Sequence, residues 1–340
     1  MIADRLPILA VCGWSGSGKT TLIEQLVRRL ASGRLSVAVV KHDVHGFEVD
    51  RPGKDSDRFF RAGADVTLCG PGETFHRVHR AAHLPDDSPN WLEASRRHDL
   101  VLVEGFKHTP LPKVWLLGER EAQPPPEAEA VLDVVPRHVD RLAAVLPLVE
   151  AYLETQWRRT PLFGCVLIGG KSRRMGRPKH LLRTGAGITW LEHTISVLSP
   201  LCKGVVIAGP GDVPACLAGC PRLPDAPDAQ GPMAGLLAAM RWAPWASWLL
   251  AACDMPYLSA AAVEWLLSTR RPDTWASLPR LPGDTGVEPL LAHYDFRARG
   301  TIESLVRRGE YSLSVLSRYA RMSPAIVPES LAAAWRDVDR

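Results

Sequence analysis

The stretch Leu167-Ile-Gly-Gly-Lys-Ser-Arg-Arg-Met-Gly-Arg-Pro-Lys179 lies almost at the middle of this 340-residue chain. It follows the apolar run Pro161–Val166 and leads into a predicted helix, which indicates a buried strand that opens into a loop. Main-chain amides of a glycine turn bind anionic oxygens, and the lysine at the end of the stretch can add its charge to the same site. The stretch therefore predicts a polyphosphate ligand, with a basic surface turn as the alternative.

A second glycine-rich stretch, Gly13-Trp-Ser-Gly-Ser-Gly-Lys-Thr20, lies near the amino terminus. It fits the P-loop pattern G-x-x-x-x-G-K-[ST] completely, between the apolar run Ile8–Cys12 and a predicted helix over Thr21–Leu30. The pattern predicts that the loop amides wrap phosphates, that the lysine neutralises the β and γ oxygens, and that the threonine reaches Mg²⁺. The predicted nucleotide-binding residues of this loop are Gly13, Ser15, Gly16, Ser17, Gly18, Lys19 and Thr20. The alternative is a chance match without nucleotide binding.

Two further apolar runs end in a carboxylate. Leu100–Val103 is followed by Glu104, the arrangement of a Walker B strand, and we expect Glu104 to hold Mg²⁺ through water beside Thr20. Trp248–Cys253 is followed by Asp254, which can bind Mg²⁺ on an α-phosphate. The predicted metal residues are therefore Thr20, Glu104 and Asp254. The alternatives are a strand-end glutamate without a role and an aspartate that caps the next helix.

The length of the chain indicates two domains, and the order of strand, glycine-rich loop and helix in each half indicates the α/β class. The chain is too long for one ordinary core, and its polar stretch Thr155–Thr160 is a suitable linker, so we expect domains over residues 1–157 and 161–340. The predicted fold is α/β with two doubly wound domains. A net charge of +4 without a long basic block predicts no nucleic-acid or membrane partner. Seven scattered cysteines and the lack of a signal-peptide pattern predict reduced thiols and a cytoplasmic location.

The amino-terminal half resembles the MobB family of GTP-binding P-loop proteins. The resemblance rests on the P-loop, on Lys41-His42, on Asp50–Ser56, on Arg61–Ala64 and on Leu102–His108, and it covers about the first 150 residues. It implies a P-loop NTPase-like domain that binds GTP with Mg²⁺, hydrolyses it slowly and has an accessory role beside a MobA enzyme.

The carboxy-terminal half resembles the molybdenum cofactor guanylyltransferases of the MobA family. The resemblance is carried by the stretch 167–179, by Gly231-Pro-Met-Ala-Gly-Leu-Leu237 and by Cys253-Asp-Met-Pro256. Ile168 and Pro178 differ from the usual family residues, but neither replaces a phosphate ligand. The resemblance implies a Rossmann-like nucleotidyltransferase domain that transfers GMP from GTP to molybdopterin or Mo-molybdopterin.

The same resemblance implies the residues of a second site. The implied catalytic residues are Lys179, Arg174 and Asp254, and the implied nucleotide-binding residues are Leu167, Ile168, Gly169, Gly170, Lys179, Asp225, Gly231 and Asp254. Asp337 and Asp339 are candidates for a second metal contact, and the loop Leu278–Gly286 is a candidate pterin contact. Trp242, Trp245 and Trp248 are expected to pack between helices and strands rather than to stack on a pterin.

The resemblance also implies partners, and it leaves two rival functions open. Expected partners are GTP, molybdopterin, and molybdoenzymes or cofactor-insertion proteins, while a homodimer is left open. One rival is a cytidylyltransferase or another nucleotidyltransferase. The other rival is a GTP-regulated carrier or chaperone that hands on the cofactor without turnover.

Overall fold

Two mostly parallel sheets form the centre of the fold, each around an apolar strand that is buried on both faces. The computed structural model describes residues 6–41, 52–63, 66–69, 71–77, 94–169 and 178–336. Both sheets lie in one compact unit, Met1–Val40 with Trp91–Arg340, and Lys41–Asn90 form a second unit. Within these ranges no helix has both the length and the apolar character needed to cross a bilayer.

The first sheet belongs to the amino-terminal part of the chain. In chain order the elements here are β1 (Ile8–Cys12), α1 (Lys19–Ser32), β2 (Val37–Lys41), α2 (Asp55–Arg61), β3 (Val66–Cys69), β4 (Thr74–Arg77), β5 (Leu100–Glu104), β6 (Lys113–Leu116), β7 (Val131–Val135) and α3 (Arg141–Arg159). The strand order is β2-β5-β1-β6-β7, and β1 runs parallel to β5 and β6. The carboxyl ends of these strands therefore share one edge, where α/β sheets bind ligands.

The helix α3 corrects one prediction. Thr155–Thr160 was expected to be a polar linker, but α3 continues to Arg159 and β8 begins at Leu162. The buried stripe of α3 continues past Val149 through Tyr152 to Gln156, so polar residues near its end belong to the helix. Only Thr160 and Pro161 connect the helix to the next strand. The domain limits 1–157 and 161–340 remain a prediction.

The second sheet belongs to the carboxy-terminal part. Its elements are β8 (Leu162–Leu167), α4 (Trp190–Leu198), β9 (Val205–Ala208), β10 (Arg222–Leu223), α5 (Pro232–Trp242), β11 (Ser247–Ala252), α6 (Ala260–Ser268), β12 (Ala276–Arg280), β13 (Leu291–Tyr294), α7 (Ala298–Arg307) and β14 (Met322–Ile326), with short 3₁₀ helices between them. The strand order is β10-β9-β8-β11-β13-β12-β14. Strand β13 pairs antiparallel with both neighbours, whereas β8 pairs parallel with β9 and β11. The α/β class is confirmed for both sheets.

The unit Lys41–Asn90 contains α2 and the antiparallel pair β3–β4. Asp57 on α2 is buried and accepts hydrogen bonds from the Gly53 amide at 2.9 Å and from Arg77 at 3.1 Å. These bonds hold the pKa of Asp57 below its ordinary value. Asp57 therefore stabilises this small unit as an ionised carboxylate.

Candidate functional site

The P-loop leaves the carboxyl end of β1 and enters α1 at Lys19. Gly13 has a φ of +144°, and a Cβ at this position would lie 2.5 Å from the carbonyl oxygen of Leu116. Only glycine allows the chain to turn this close to β6. The Lys19 ammonium donates a hydrogen bond to the Trp14 carbonyl oxygen at 2.8 Å, so the loop is closed on itself. The segment Ser15 to Lys19 lies between β1 and the first turn of α1.

Thr20 and Glu104 come together at this edge although 84 residues separate them in the chain. The Thr20 hydroxyl lies 3.1 Å and 3.2 Å from the two carboxylate oxygens of Glu104. The glutamate thus has a partner in the P-loop. A hydroxyl and a carboxylate are hard oxygen donors, which suit Mg²⁺ that is also bound by phosphates.

Arg141, the first residue of α3, takes part in this site and was not predicted. Its guanidinium donates hydrogen bonds to carbonyl oxygens of three loops, to Ser17 in the P-loop, to Leu117 at 2.6 Å and to Pro136 at 3.2 Å. Burial lowers the pKa of Arg141, since desolvation disfavours the charged form. Arg141 therefore fixes the P-loop to the loops that follow β6 and β7.

Lys107 is a second residue that the motif analysis did not assign. It follows the Glu104 strand by three positions, and its ammonium lies 3.8 Å from the centre of the exposed Trp14 ring. A cation over an indole face is attracted by the ring quadrupole. This contact places a positive charge beside the P-loop.

The second site forms at the carboxyl ends of β8 and β11. These strands pair in parallel with Leu167 opposite Ala252, so the residues that follow them lie at one edge. Lys179 and Asp254 meet there, with the lysine Nζ 3.0 Å from the Oδ2 atom of Asp254, across 75 residues of sequence. Their side chains are 20% and 23% exposed, so the pair is partly shielded from water.

Asp254 does not cap the next helix. Ser259 is the N-cap of α6, and its hydroxyl accepts a hydrogen bond from the Ala262 amide. Cys253, next to Asp254, is buried, and this burial raises the pKa of its thiol to about 12. The aspartate is therefore the ionisable group that β11 presents to the site.

The loop after β8 lies at the same edge. The Ile168 amide donates to the Ala208 carbonyl oxygen at 2.8 Å, which extends the pairing of β8 and β9 by one residue beyond Leu167. Gly169 then has a φ of +100° and is exposed. The exposed backbone of Gly169 is thus available to a ligand. Gly170 and Arg174 lie outside the described residues, as do Asp337 and Asp339.

Asp225 and Gly231 frame the start of α5 on the β10 side of this edge. Gly231 has a φ of +59° and is the N-cap of α5, and the Asp225 carboxylate approaches Gly235 in the first turns of that helix. Partial desolvation there raises the pKa of Asp225. The structure therefore brings Asp225 to the loop and helix that were predicted to bind the nucleotide.

His180 is a buried residue of the second site that was not predicted. Its Nε2 atom lies 2.8 Å from the carbonyl oxygen of Asp212, in the loop that follows β9. The ring therefore joins the Lys179 segment to that loop.

Two of the three tryptophans lie away from the site, at the amino ends of the strands. Trp248 is buried, and Trp242 packs against Trp248 and Phe163. Packing between helix and strand is therefore confirmed for Trp242 and Trp248.

Each site contains few side chains that could bind a metal ion. The described ranges contain no group of three or more His, Cys, Asp or Glu residues that could hold a metal ion. Mg²⁺ is commonly bound by one or two carboxylates and by substrate phosphates, rather than by a cage made of protein alone. This mode of binding fits Thr20 and Glu104 at the first site and Asp254 at the second.

Two family models match successive parts of the chain. The model described as Molybdopterin guanine dinucleotide synthesis protein B (MobB) matches residues 8–136, and the model described as MobA-like NTP transferase domain matches residues 164–324.

Individual relatives match the same two parts. The molybdopterin-guanine dinucleotide biosynthesis adapter protein of Haemophilus influenzae is 36% identical over 148 residues, which are 41% of this chain and 80% of the relative. The probable molybdenum cofactor guanylyltransferase of Mycobacterium bovis is 38% identical over 161 residues, 46% of this chain and 79% of the relative. The molybdenum cofactor biosynthesis bifunctional protein of Synechocystis is 37% identical over 121 residues, 35% of each chain. The chain therefore belongs to the MobB family through its amino-terminal part and to the MobA-like NTP transferase family through its carboxy-terminal part.

Proposed function

We propose that the edge of the second sheet transfers GMP from GTP to molybdopterin or Mo-molybdopterin, and that it releases pyrophosphate. The observation that carries the proposal is the pairing of Lys179 with Asp254 at the carboxyl ends of β8 and β11. The relatives of this part of the chain that are named molybdenum cofactor guanylyltransferases supply the substrate class.

The reaction requires alignment and charge stabilisation rather than a covalent intermediate. An oxygen of the terminal phosphate of molybdopterin forms a bond to the α-phosphorus of GTP, and the bond from that phosphorus to the bridging oxygen of the β-phosphate breaks. The nucleophile is already ionised, so the site needs no general base. Fixed positive charge near the leaving group lowers the barrier, because charge develops there in the transition state.

Lys179 and Asp254 have complementary roles in this proposal. Lys179 places an ammonium at the phosphates, and the amide of Gly169 lies at the same edge of the sheet. Asp254 orients Lys179 through their ion pair and would hold Mg²⁺ on the phosphates. When bound, Mg²⁺ supplies charge neutralisation at the α-phosphate and the leaving group. Arg174 is proposed as a further cation for the pyrophosphate.

We propose that the P-loop binds a second GTP, with Mg²⁺ held by Thr20 and Glu104. The contacts that support this are the Thr20–Glu104 hydrogen bonds and the three loops that Arg141 joins. GTP hydrolysis at this edge is expected to be slow. In this proposal, the amino-terminal part of the chain is an adapter that binds molybdoenzymes or cofactor-insertion proteins in the cytoplasm.

Two single substitutions test the transferase assignment. Asp254→Ala and Lys179→Ala in the full chain are expected to lower the turnover of GTP with molybdopterin by about 10²-fold or more, since each removes charge stabilisation of the transition state. The matched control is Asp273→Ala, which removes a carboxylate from the ion pair with Arg271 in the turn that precedes β12. Turnover near the parental value in either site variant, measured as pyrophosphate release, would contradict the assignment.

A further inference from the structure

We infer that the two nucleotide sites of this chain face away from each other, because the two sheets are joined through their amino edges by a permanent, buried polar contact. We call this contact the seam. It consists of Ser36 and Asp99 from the first sheet's part of the chain and Trp275, Asp295, Arg297 and Arg321 from the second. Beyond the proposed function, the seam is an internal interaction surface that gives the two sites a fixed arrangement.

The direction of the strands places the seam opposite the site of the first sheet. Asp99 directly precedes β5, and Glu104 is the last residue of the same strand. Pro7 precedes β1, whereas Gly13 of the P-loop follows it. The residues before β1 and β5 thus lie at the amino edge, and the P-loop and Glu104 lie at the carboxyl edge.

The second sheet has the same relation to the seam. Trp275 directly precedes β12, which is parallel to β8 and β11 because both β11 and β12 pair antiparallel with β13. Asp295 and Arg297 follow β13, so they reach the edge where its neighbours begin. Gly169 and Asp254 follow β8 and β11, at the opposite edge.

The centre of the seam is the carboxylate of Asp99, which is bonded from both sides. Its Oδ1 atom accepts hydrogen bonds from the Trp275 indole at 2.9 Å and from Arg297 at 2.6 Å. Its Oδ2 atom accepts from the Ser36 amide at 2.8 Å and from the Ser36 hydroxyl at 3.0 Å. Asp295 binds the other side of the Arg297 guanidinium at 2.7 Å. Asp99, Arg297 and Asp295 are only 2%, 5% and 1% exposed.

Such a network fixes the register of the two halves. A buried charge is tolerated only when it is paired and its hydrogen bonds are satisfied, so a closed arrangement that moved Asp99 away from Arg297 would be strongly disfavoured. Apolar contact adds to this, since Phe296 is 4% exposed and packs in the same cluster as Leu6, Ile8 and Trp115 of the first sheet. With only two residues between α3 and β8, the chain has little freedom for another arrangement.

The arrangement separates the two sites widely. Strands β1 and β11 contain five and six residues, and at about 3.3 Å per residue each sheet contributes roughly 17–20 Å between the seam and its site. Laid end to end, two such strand lengths amount to on the order of 35 Å, far beyond the reach of a side chain. The P-loop residues that the structure describes, Gly13 to Thr20, are therefore too far away to contribute a side chain to the pair of Lys179 and Asp254. Any help that they give to the reaction passes through the seam or through another molecule.

A distance measurement on the full chain tests the inference without any activity assay. Spin labels are placed at Glu24, exposed on α1 near the P-loop, and at Ala261, exposed at the start of α6 near Asp254, after the accessible cysteines are replaced by serine. We expect a single narrow distribution of distances centred above about 25 Å, because two strand lengths lie between the labelled edges. A broad distribution, or one centred below about 20 Å, would overturn the inference.

Two further variants test the role of the seam in holding that distance. Asp99→Lys opposes Arg297 with a like charge and is expected to broaden the distribution and to split one thermal unfolding transition into two. Arg297→Gln is the milder variant, for use if the first does not fold, and is expected to broaden the distribution less. The control is Asp228→Lys, which breaks the surface ion pair with Arg241. We expect this variant to change neither the distance distribution nor the thermal unfolding transition. An unchanged distance distribution in folded Asp99→Lys or Arg297→Gln chains would contradict the seam.

Discussion

Single contacts between distant residues decide the chemistry of the P-loop edge. The contact of Thr20 with Glu104 predicts that Glu104→Gln weakens Mg²⁺-dependent GTP binding at the first site by about tenfold to a hundredfold. The reason is that Glu104 would hold Mg²⁺ through water, and a hydrogen bond from that water to the charged carboxylate contributes about 1.5–3 kcal/mol. Titration calorimetry with and without Mg²⁺ measures this effect. Glu24→Gln, in an exposed pair with Arg28, is the control, and equal affinities in both variants would refute the role of Glu104.

Arg141 gives a second prediction for the same edge. Arg141→Met keeps the length of the side chain but leaves three loop carbonyl oxygens without their donor. We expect a loss of about 2 kcal/mol in the free energy of unfolding, because buried acceptors without partners cost about 1–3 kcal/mol. Chemical denaturation measures the loss, with Arg137→Met, which breaks the exposed pair with Glu119, as control. Equal stability of the two variants would show that Arg141 does not fix the loops.

The sequence predicted the residues that belong to local motifs and missed those that act over distance. Lys19, Thr20 and Asp254 stand in short patterns whose spacing carries a mechanism, so they could be named without a structure. Arg141 contacts Ser17 across 124 residues, and Arg297 contacts Asp99 across 198. Such partners share no pattern, because the fold alone brings them together.

At the scale of elements, the helix α4 supports the segment that carries Lys179. Thr189 caps this helix in a capping box with Glu192, and the Trp190 amide donates to the Leu182 carbonyl oxygen at 2.8 Å. Thr189→Ala is expected to lower the free energy of unfolding by about 1 kcal/mol, the usual effect of losing an N-cap. Denaturant unfolding measures the change. Thr155→Ala, at an exposed position inside α3, is the control, and a similar loss there would argue against a specific capping role.

Glu192 of the same box makes stability depend on pH. Hydrogen bonds from the Cys216 thiol and from Thr189 lower the pKa of Glu192 to about 2. Because the folded pKa lies below the ordinary value near 4.3, the stabilisation is complete above that value and is lost as the pH falls toward about 2. Between pH 7 and pH 3, the free energy of unfolding should fall more in the parent chain than in the Glu192→Gln variant. Equal losses in both would contradict the assignment.

Elements were predictable where one property dominated their sequence. Strands β1, β5, β8 and β11 are continuous apolar runs and were expected within one or two residues. Strand β6 was missed because it begins at Lys113, a buried lysine whose ammonium donates to two loop carbonyl oxygens. Residues 155–160 were expected to be a linker rather than the end of α3, because Gln156, a polar residue, occupies the buried stripe of that helix.

At the scale of the whole molecule, the seam couples the stability of the two sheets. Arg297→Ala removes one partner of a buried ion pair and leaves Asp99 with less compensation. We expect it to lower the free energy of unfolding by about 3–5 kcal/mol, whereas Arg241→Ala, at an exposed pair, should cost at most about 1 kcal/mol. Denaturant unfolding of both variants checks this. Similar values for the two would show that the seam contributes little.

The central claim is that this chain forms a dinucleotide from GTP and molybdopterin at the edge that carries Lys179 and Asp254. The most direct measurement is product accumulation by the full chain under multiple-turnover conditions with Mg²⁺ and molybdopterin, compared between GTP and CTP. The account predicts many equivalents of molybdopterin guanine dinucleotide and an equal amount of pyrophosphate with GTP, and little product with CTP. No more than one equivalent with GTP, or faster turnover with CTP, would contradict it.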